Sequence, residues 1–263
     1  MARVTTEISD HVAHVTLTRG DKMNGIDFEM AAAIVDAGEA LIGNEEVRAV
    51  VLSGEGRAFC AGLDVASFAV LAGGDPEETV MPRHAGRTGN LFQEVALVWR
   101  RVPVPVIAAL HGVVFGGGFQ LALGADVRIA HPETKLSVME MKWGLVPDMG
   151  GMVLMPPLMR SDVIRRLTYT AEPVSAEQGL GWGMVTELAD DPLAAARALA
   201  EAIAGKSPSA MRAAKGLIAV AESGAGEAEV LMAESRAQVG LIGKRHQMEV
   251  IAANMAGRAP DFG

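Results

Sequence analysis

Residues 104–151 read VPVIAALHGVVFGGGFQLALGADVRIAHPETKLSVMEMKWGLVPDMGG. The apolar run Val106–Leu110 predicts a buried strand. The triple glycine at 116–118 separates it from a second apolar segment, which predicts a helix. Acidic residues follow at Glu140 and Asp148, the latter within a Pro-Asp-Met-Gly-Gly turn. The stretch therefore predicts a strand, a glycine turn, a helix and then loops that carry two carboxylates.

The glycine turn at 116–118 has more than one interpretation. Glycine reaches positive φ and lets another group approach the main chain closely. Free N–H groups at the start of a helix attract negative charge, which suits a phosphate or an oxyanion formed during a reaction. The same residues also suit a tight turn without a ligand. An earlier glycine turn, at 59–64, follows an earlier predicted strand at 47–53. The first turn (59–64) and the second turn (116–118) can therefore each supply one N–H to a shared carbonyl oxygen.

Length and composition restrict the function. At 263 residues the chain can bury a large core, in one domain or in one domain with an appendage. A net charge of −9 argues against nucleic-acid binding. The absence of a membrane-length apolar run leads us to expect a cytoplasmic protein. The single cysteine, Cys60, excludes an intramolecular disulfide and is better explained as a buried small side chain than as a nucleophile.

The rest of the chain alternates strand-like and helical segments. Residues 12–18 predict a strand, and Asp27 is a good N-cap for a helix at Phe28–Ile42. Residues 90–101 predict another helix, and the chain from Pro192 onward has a helical pattern throughout. This alternation indicates an α/β protein with a helical C-terminal region.

Other enzyme motifs do not fit this sequence. A dinucleotide-binding turn needs G-x-G-x-x-G, but Leu121 stands where its last glycine should be. No Gly-Lys-Ser/Thr turn follows a strand, and there is no G-x-S-x-G nucleophile turn. The six histidines lack the spacing of a zinc site, so we expect no metal.

Taken together, three motifs resemble the crotonase family, also called the enoyl-CoA hydratase/isomerase family. They are Ala61-Gly62-Leu63-Asp64, His111-Gly112 with the glycines at 116–118, and Gly144-Leu145-Val146-Pro147 through 150–151. The resemblance covers nearly the whole chain. It implies a crotonase-like spiral of repeated ββα units that carries the CoA and acyl site (1–191), and a helical region for oligomerisation and active-site cover (192–263).

The resemblance also implies site residues. The family's oxyanion hole places its two N–H donors at Leu63 and Gly117 of this chain. Coenzyme A then enters as part of the substrate, and no separate cofactor is expected. The matching positions for contact with coenzyme A are Lys22, Met23, Gly25, Ala61, Asp64, Val65 and Arg258.

The acid and base groups depart from the family's hydratases. Those enzymes commonly use two glutamates, and this chain has Gln120 at the first position and Glu140 at the second. Gln120 can orient water or substrate by hydrogen bonds, but it cannot accept a proton. Family members that shift double bonds, including dienoyl-CoA isomerases, resemble this chain in pairing a glutamate with an aspartate, here Asp148. Glu140 and Asp148 are therefore the predicted catalytic residues, since carboxylates in one apolar pocket can take different pKa values.

The resulting hypothesis is an enzyme that moves a double bond in an unsaturated acyl-CoA thioester through a stabilised dienolate. Hydration of a 2-enoyl-CoA is the alternative, and a non-catalytic acyl-CoA binder is a further one. The family also implies a homotrimer or hexamer, while a monomer with a helical cap is the other possibility. The sequence does not define the acyl chain.

Overall fold

A computed structural model describes residues 2–64, 66–67 and 73–263 of the chain. Within these ranges the strands form a larger sheet and a smaller one. In chain order they are β1 (Val4–Ser9), β2 (Val12–Leu17), β3 (Ala49–Gly54), β4 (Val106–Leu110), β5 (Val113–Phe115), β6 (Val127–Ala130), β7 (Lys135–Ser137), β8 (Val174–Ser175) and β9 (Glu187–Leu188).

The helices of the described ranges flank these strands. They are α1 (Phe28–Ile42), α2 (Pro76–Val80), α3 (Leu91–Arg101), α4 (Gly117–Leu123), α5 (Gly151–Leu158), α6 (Ser161–Thr170), α7 (Ala176–Gly181), α8 (Pro192–Ala204), α9 (Pro208–Glu222), α10 (Glu227–Leu241) and α11 (Arg245–Ala256). Single 3-10 turns lie at Gly20–Lys22 and Glu140–Trp143. None of the described helices combines the length and the apolar character needed to cross a membrane.

The larger sheet is parallel except at one edge. Its strand order is β1-β2-β3-β4-β6-β9, with β1 antiparallel to β2 and every later pair parallel. Parallel strands have their carboxyl ends at the same edge of the sheet. The segments that follow β3 and β4, which contain both glycine turns, therefore leave the sheet at a common edge.

Helices bury both faces of this sheet, and this explains the nearly continuous apolar character of β3 and β4. On one face α1 and α3 pack with Val15, Val50, Leu52 and other core side chains. On the opposite face α8 presents Ala196, Ala200 and Ala204. These pack against a second cluster of strand side chains: Val12, Ala49, Val51, Ile107, Ala109 and Ile129.

The position of α8 bears on the domain boundary placed at 192. Because α8 packs directly on the strands of the larger sheet, it forms one layer of their core. The later helices lie farther out, and α9 is attached by Lys215, whose Nζ bonds to the carbonyl oxygens of Trp99 and Val104 and to Asp126. The region 192–263 thus begins with a helix that belongs to the core of the larger sheet, and the division of the chain at 191/192 stays a prediction.

The smaller sheet connects the second glycine turn to the segment that carries Glu140. β5 runs parallel to β7, and β7 pairs antiparallel with β8. Beyond the paired strands, the Gly116 N–H donates to the Ser137 carbonyl at 2.9 Å. The glycine turn and the residues just before Glu140 are therefore held side by side.

The structure confirms the α/β fold with a helical C-terminal region. The bounds of α1 and β4 match the sequence prediction, and Asp27 caps α1 through the Met30 N–H. Prolines usually break helices, yet Pro156 and Pro157 both lie within α5. They fall in its second half, and the Met159 N–H still bonds to the Met155 carbonyl.

Candidate active site

The first glycine turn is fixed between two other segments. The Phe115 N–H donates to the Cys60 carbonyl at 3.0 Å, so this turn lies against β5. On its other side the Ile26 N–H donates to the Gly62 carbonyl at 2.8 Å, and the Asp64 N–H donates to the Ile26 carbonyl at 2.9 Å. The main chain around Leu63 is thus held by its neighbours on both sides.

The two glycine turns lie so close to their neighbours that a side chain at Gly62 or Gly117 would come into close contact with other atoms. Gly62 has φ of 94°, and a Cβ there would lie 2.8 Å from the Phe115 carbonyl oxygen and 3.5 Å from the Gly117 nitrogen. A Cβ on Gly117 would lie 2.5 Å from the Met149 Sδ. Within the described residues, neither the Leu63 N–H nor the Gly117 N–H donates to another protein group. Both residues line one cleft, so two unused main-chain donors are available there.

This cleft also receives both predicted carboxylates. Glu140 opens the 3-10 turn that follows β7, and Asp148 lies in the turn before α5. The remaining wall is mostly apolar. Its larger side chains are Val80, Phe92, Met139, Trp143, Leu145 and Met149.

Glu140 is half-buried and hydrogen-bonded. Its Oε1 accepts from Gln120 Nε2 at 2.7 Å, and its Oε2 is buried without a hydrogen-bond partner in the described part of the chain. Burial raises the pKa of this carboxyl, and repulsion from Asp148 adds to the rise, while interactions with the main chain at Glu140 and with the Gln120 amide oppose it. Glu140 is therefore more easily protonated than an ordinary glutamate.

Asp148 has a different environment. Its side chain is accessible to solvent through the mouth of the cleft, yet the surrounding protein atoms raise its pKa by desolvation. Two carboxyl groups of raised pKa in one cleft can exchange protons near neutral pH more readily than free carboxylates. The geometry thus allows one of them to act as a base and the other as an acid.

Gln120 lies behind the cleft instead of in its wall. The residue is fully buried in α4, and its Oε1 accepts from the Met149 and Gly151 N–H groups, each at 2.8 Å. Its Nε2 donates to Glu140. This placement differs from the expectation that Gln120 orients water or substrate, because both ends of its amide are bonded to the protein.

The predicted CoA contacts of the first half of the chain lie together. The Ala61 N–H donates to the Met23 carbonyl at 2.9 Å, and a Cβ on Gly25 would lie 3.7 Å from the Asp64 Cα. Lys22 is exposed on the same loop. The hydrogen bond from the Ala66 N–H, the Arg19 guanidinium and the Lys22 charge all lower the pKa of the Asp64 carboxyl. Val65 lies outside the described residues.

Two polar residues that the sequence did not single out hold this loop in place. Arg19 Nη1 pairs with Asp64 at 2.6 Å and with Asp27 at 3.2 Å. Asn24 is fully buried, and its Nδ2 donates to three main-chain carbonyls of the segment 55–59. An Asn-Gly dipeptide favours a turn, but no local pattern shows that the Asn24 side chain joins two loops.

Arg258 is separated from the cleft within one chain. Its guanidinium pairs with Glu249 at 2.6 Å. The nearby C-terminal residue Gly263 accepts from Arg48, which precedes β3 at the amino end of the strand. The glycine turns follow the carboxyl ends of the strands. Arg258 is not among the residues that line the cleft, and its contact with coenzyme A stays a prediction.

Cys60 does not line the cleft. The Cys60 thiol is buried and donates to the Asn24 carbonyl, and burial raises its pKa to about 12. This is the state of an inert thiol. Across the described residues, no group of three or more potential ligand side chains could hold a metal ion.

Comparison with known proteins gives a consistent result. The family model described as "Enoyl-CoA hydratase/isomerase" matches residues 7–263. The chain is 32% identical to (E)-benzylidenesuccinyl-CoA hydratase of Thauera aromatica over 81% of this chain and 80% of that protein. It is also 32% identical to human mitochondrial Delta(3,5)-Delta(2,4)-dienoyl-CoA isomerase over 80% of this chain and 66% of that protein. The crystal structure of an enoyl-CoA hydratase from Polaromonas sp. JS666 superposes with a TM-score of 0.87 at 27% identity, covering 98% of each chain.

Proposed function

The chain belongs to the enoyl-CoA hydratase/isomerase family, and we propose that it shifts a double bond in an unsaturated acyl-CoA thioester. The observation that carries this proposal is the shared cleft of two unused main-chain N–H groups, at Leu63 and Gly117, and two carboxyls of raised pKa. Gln120 stands at the first of the two positions where the family's hydratases commonly have a glutamate. Its amide cannot take a proton from water.

The first proposed step is removal of a proton. The Asp148 carboxylate takes a proton from the carbon next to the thioester carbonyl, and the electron pair moves onto the carbonyl oxygen. The Leu63 and Gly117 N–H groups donate to that oxygen as its charge develops, which is where such donors act most strongly. The product of this step is a dienolate and a protonated Asp148.

The second proposed step returns a proton farther along the acyl chain. Protonated Glu140 gives its proton to the distal carbon, the electron pair returns from the oxygen, and the double bond is then conjugated with the thioester. Asp148 is left protonated and Glu140 ionised, so one proton must pass back before the next turnover. Raised pKa values of both carboxyls favour this exchange near neutral pH.

The substrate would carry coenzyme A, with no separate cofactor. Support comes from the loop of Lys22, Met23 and Gly25, which lies against Ala61 and Asp64 at the cleft edge. The apolar wall that includes Phe92 and Trp143 suits an uncharged acyl group.

Hydration of a 2-enoyl-CoA is the second candidate. It is supported by the hydratase from Thauera aromatica at 32% identity and the hydratase structure from Polaromonas. In this reaction Glu140 or Asp148 would have to activate the water, because the Gln120 amide is not basic.

Three substrates separate these candidates. Purified protein is assayed with a 3-enoyl-CoA, a 3,5-dienoyl-CoA and a 2-enoyl-CoA. Turnover of the first or second supports isomerisation, and hydration of the third alone supports a hydratase. Binding without any turnover would mean that the protein is an acyl-CoA binder and would overturn the proposed activity.

Deuterium exchange tests the assigned roles. In D2O, Glu140→Gln should still exchange the proton next to the thioester but should not isomerise, because only the second step is blocked. Asp148→Asn should lose both, with kcat lowered about 10²–10⁴-fold. Asp162→Asn, at an exposed pair with Arg160, is the matched control and should behave as wild type. Exchange retained in Asp148→Asn and lost in Glu140→Gln would reverse the two roles.

We also propose that the chain assembles as a homotrimer or hexamer. α10 has no buried residue in the single chain, and apolar side chains are exposed along the last helices, among them Val239, Ile242 and Met255. Exposed apolar groups of this kind mark contact surfaces. Light scattering coupled to size exclusion would contradict the assembly if it gave the 27.5 kDa mass of one chain.

A further inference from the structure

We propose that Gln120 is a positioning residue whose carboxamide holds Glu140 and the turn of Asp148 in one arrangement. This inference rests on the proposed function, because it assigns the two carboxyls to one reaction. Gln120 itself is fully buried and is absent from the cleft wall. It therefore acts through its neighbours and not on the substrate.

The surroundings of Gln120 fix the orientation of its amide. Two main-chain N–H groups, of Met149 and Gly151, point at one end of the side chain at 2.8 Å each. Only the carbonyl oxygen can accept from both, since the amide nitrogen is a donor. The NH2 group therefore faces Glu140, where Nε2 and Oε1 are 2.7 Å apart.

This orientation determines how Glu140 carries a proton. The Gln120 N–H occupies Oε1 whether Glu140 is ionised or protonated, because either form of that oxygen can accept. Oε2 has no partner among the described residues. The proton of the acid form is therefore placed on Oε2, and the same oxygen loses it when Glu140 acts.

The other end of the amide holds the turn that carries Asp148. Met149 directly follows Asp148, and its N–H is fixed on Gln120 Oε1. The turn also closes tightly over the amide, since a Cβ on Gly151 would lie 2.7 Å from that oxygen. One side chain thus sets the relative position of both carboxyls.

Replacing Gln120 with glutamate tests the two contacts separately, because it keeps the contact with the turn and changes the contact with Glu140. Gln120→Glu keeps an oxygen that accepts from Met149 and Gly151, so the turn is retained. Its second oxygen replaces the donor and faces the Glu140 carboxylate at hydrogen-bond distance, where the two groups must share a proton. Asp148 is the other charged side chain acting on Glu140, and it remains unchanged.

The test combines a ligand-free titration with kinetics. Glu140 is titrated by infrared spectroscopy in protein with 13C-labelled glutamate, and Glu140→Gln assigns its band. In Gln120→Glu we expect the Glu140 midpoint to rise by one pH unit or more, with kcat at pH 7 at least tenfold lower and KM within threefold of wild type. The matched control is Gln178→Glu, because Gln178 lies outside the cleft and uses its amide in the cap of α7. It should match wild type.

A second variant and a measurement on the unmodified protein keep the inference open to refutation. Gln120→Met removes both connections, so it should lower kcat at every pH. In wild type, the NMR signals of the Gln120 amide protons should titrate with the same midpoint as Glu140. An unchanged Glu140 midpoint in a folded Gln120→Glu, wild-type kcat in Gln120→Met, or amide signals that ignore Glu140 would each overturn the inference.

The proposed function and the role of Gln120 can be refuted independently. If wild type turns over no enoyl-CoA but the Glu140 midpoint shifts in Gln120→Glu, the proposed function fails and the role of Gln120 is supported. If wild type isomerises its substrate and that midpoint does not move, the proposed function stands and the role of Gln120 is refuted.

Discussion

Replacement of Asn24 should strongly destabilise the loop beside the cleft. The Asn24 Nδ2 donates at 3.0–3.1 Å to the carbonyl oxygens of Glu55, Ala58 and Phe59, and its Oδ1 accepts from the Arg19 N–H at 2.9 Å. The residue is fully buried and has φ of 52°, which asparagine tolerates better than most side chains.

The size of the effect follows from these bonds. The two amide hydrogens and Oδ1 can satisfy about three buried groups, and each one left unpaired costs about 1 kcal/mol at the low end of the usual range. Alanine in the left-handed region adds about 1 kcal/mol. Asn24→Ala should therefore lower the free energy of unfolding by about 4 kcal/mol. Asn24→Gly loses the same bonds without the backbone strain, so it should lose about 1 kcal/mol less.

Urea unfolding followed by tryptophan fluorescence measures both variants. For a chain of this size, about 4 kcal/mol corresponds to a fall in Tm of about 10 °C. The KM for an acyl-CoA substrate should also rise, because the loop lies against Ala61 and Asp64. A loss below 1 kcal/mol in Asn24→Ala, or equal losses in the two variants, would refute the reasoning.

Three further predictions concern titratable groups. Burial raises the pKa of Glu140 and Asp148, so the folded protein binds these protons more tightly than the unfolded chain, and its stability falls as pH rises from the ordinary carboxyl pKa values through the raised ones. Asp148→Asn should therefore have a higher Tm than wild type at pH 7, with the difference shrinking toward pH 4; a difference independent of pH would contradict this. Lys215→Met leaves the Asp126 carboxylate and two carbonyls without their cation, so urea unfolding should show a loss of about 2 kcal/mol, and a loss under 0.5 kcal/mol would be evidence against this role. Cys60, with its pKa raised to about 12, should react with Ellman's reagent only after unfolding, and fast labelling of the native protein would disagree with its burial.

The elements that the sequence predicted well are those with local signals. α1 has a capping aspartate and a helical apolar pattern, and β4 is an uninterrupted apolar run. The three-residue strands β5 and β7 have no such signal, because they are too short for a period to show. Their pairing is nevertheless what places the Gly117 turn beside Glu140.

The site was only partly predicted, because some of its contacts also lack a local signal in the sequence. Glu140 and Asp148 could be predicted from the resemblance to the family, and the structure places both in one cleft. The bonds of Gln120 to Met149 and Gly151 join residues 29 and 31 positions away in sequence. Contacts between residues so far apart in sequence leave no local pattern. The sequence therefore does not show that both ends of this amide are bonded to protein groups.

The donors that Leu63 and Gly117 present to the cleft belong to the main chain. A point mutation can remove a side-chain donor, but it leaves a peptide N–H in place as long as the two turns keep their shape. Under the proposed function, the capacity to hold negative charge on a substrate oxygen is thus tied to the fold itself, while the acids at 140 and 148 can be exchanged one at a time. New reactions on this scaffold would then evolve by changes in the proton-carrying groups, with each intermediate sequence keeping the two main-chain donors.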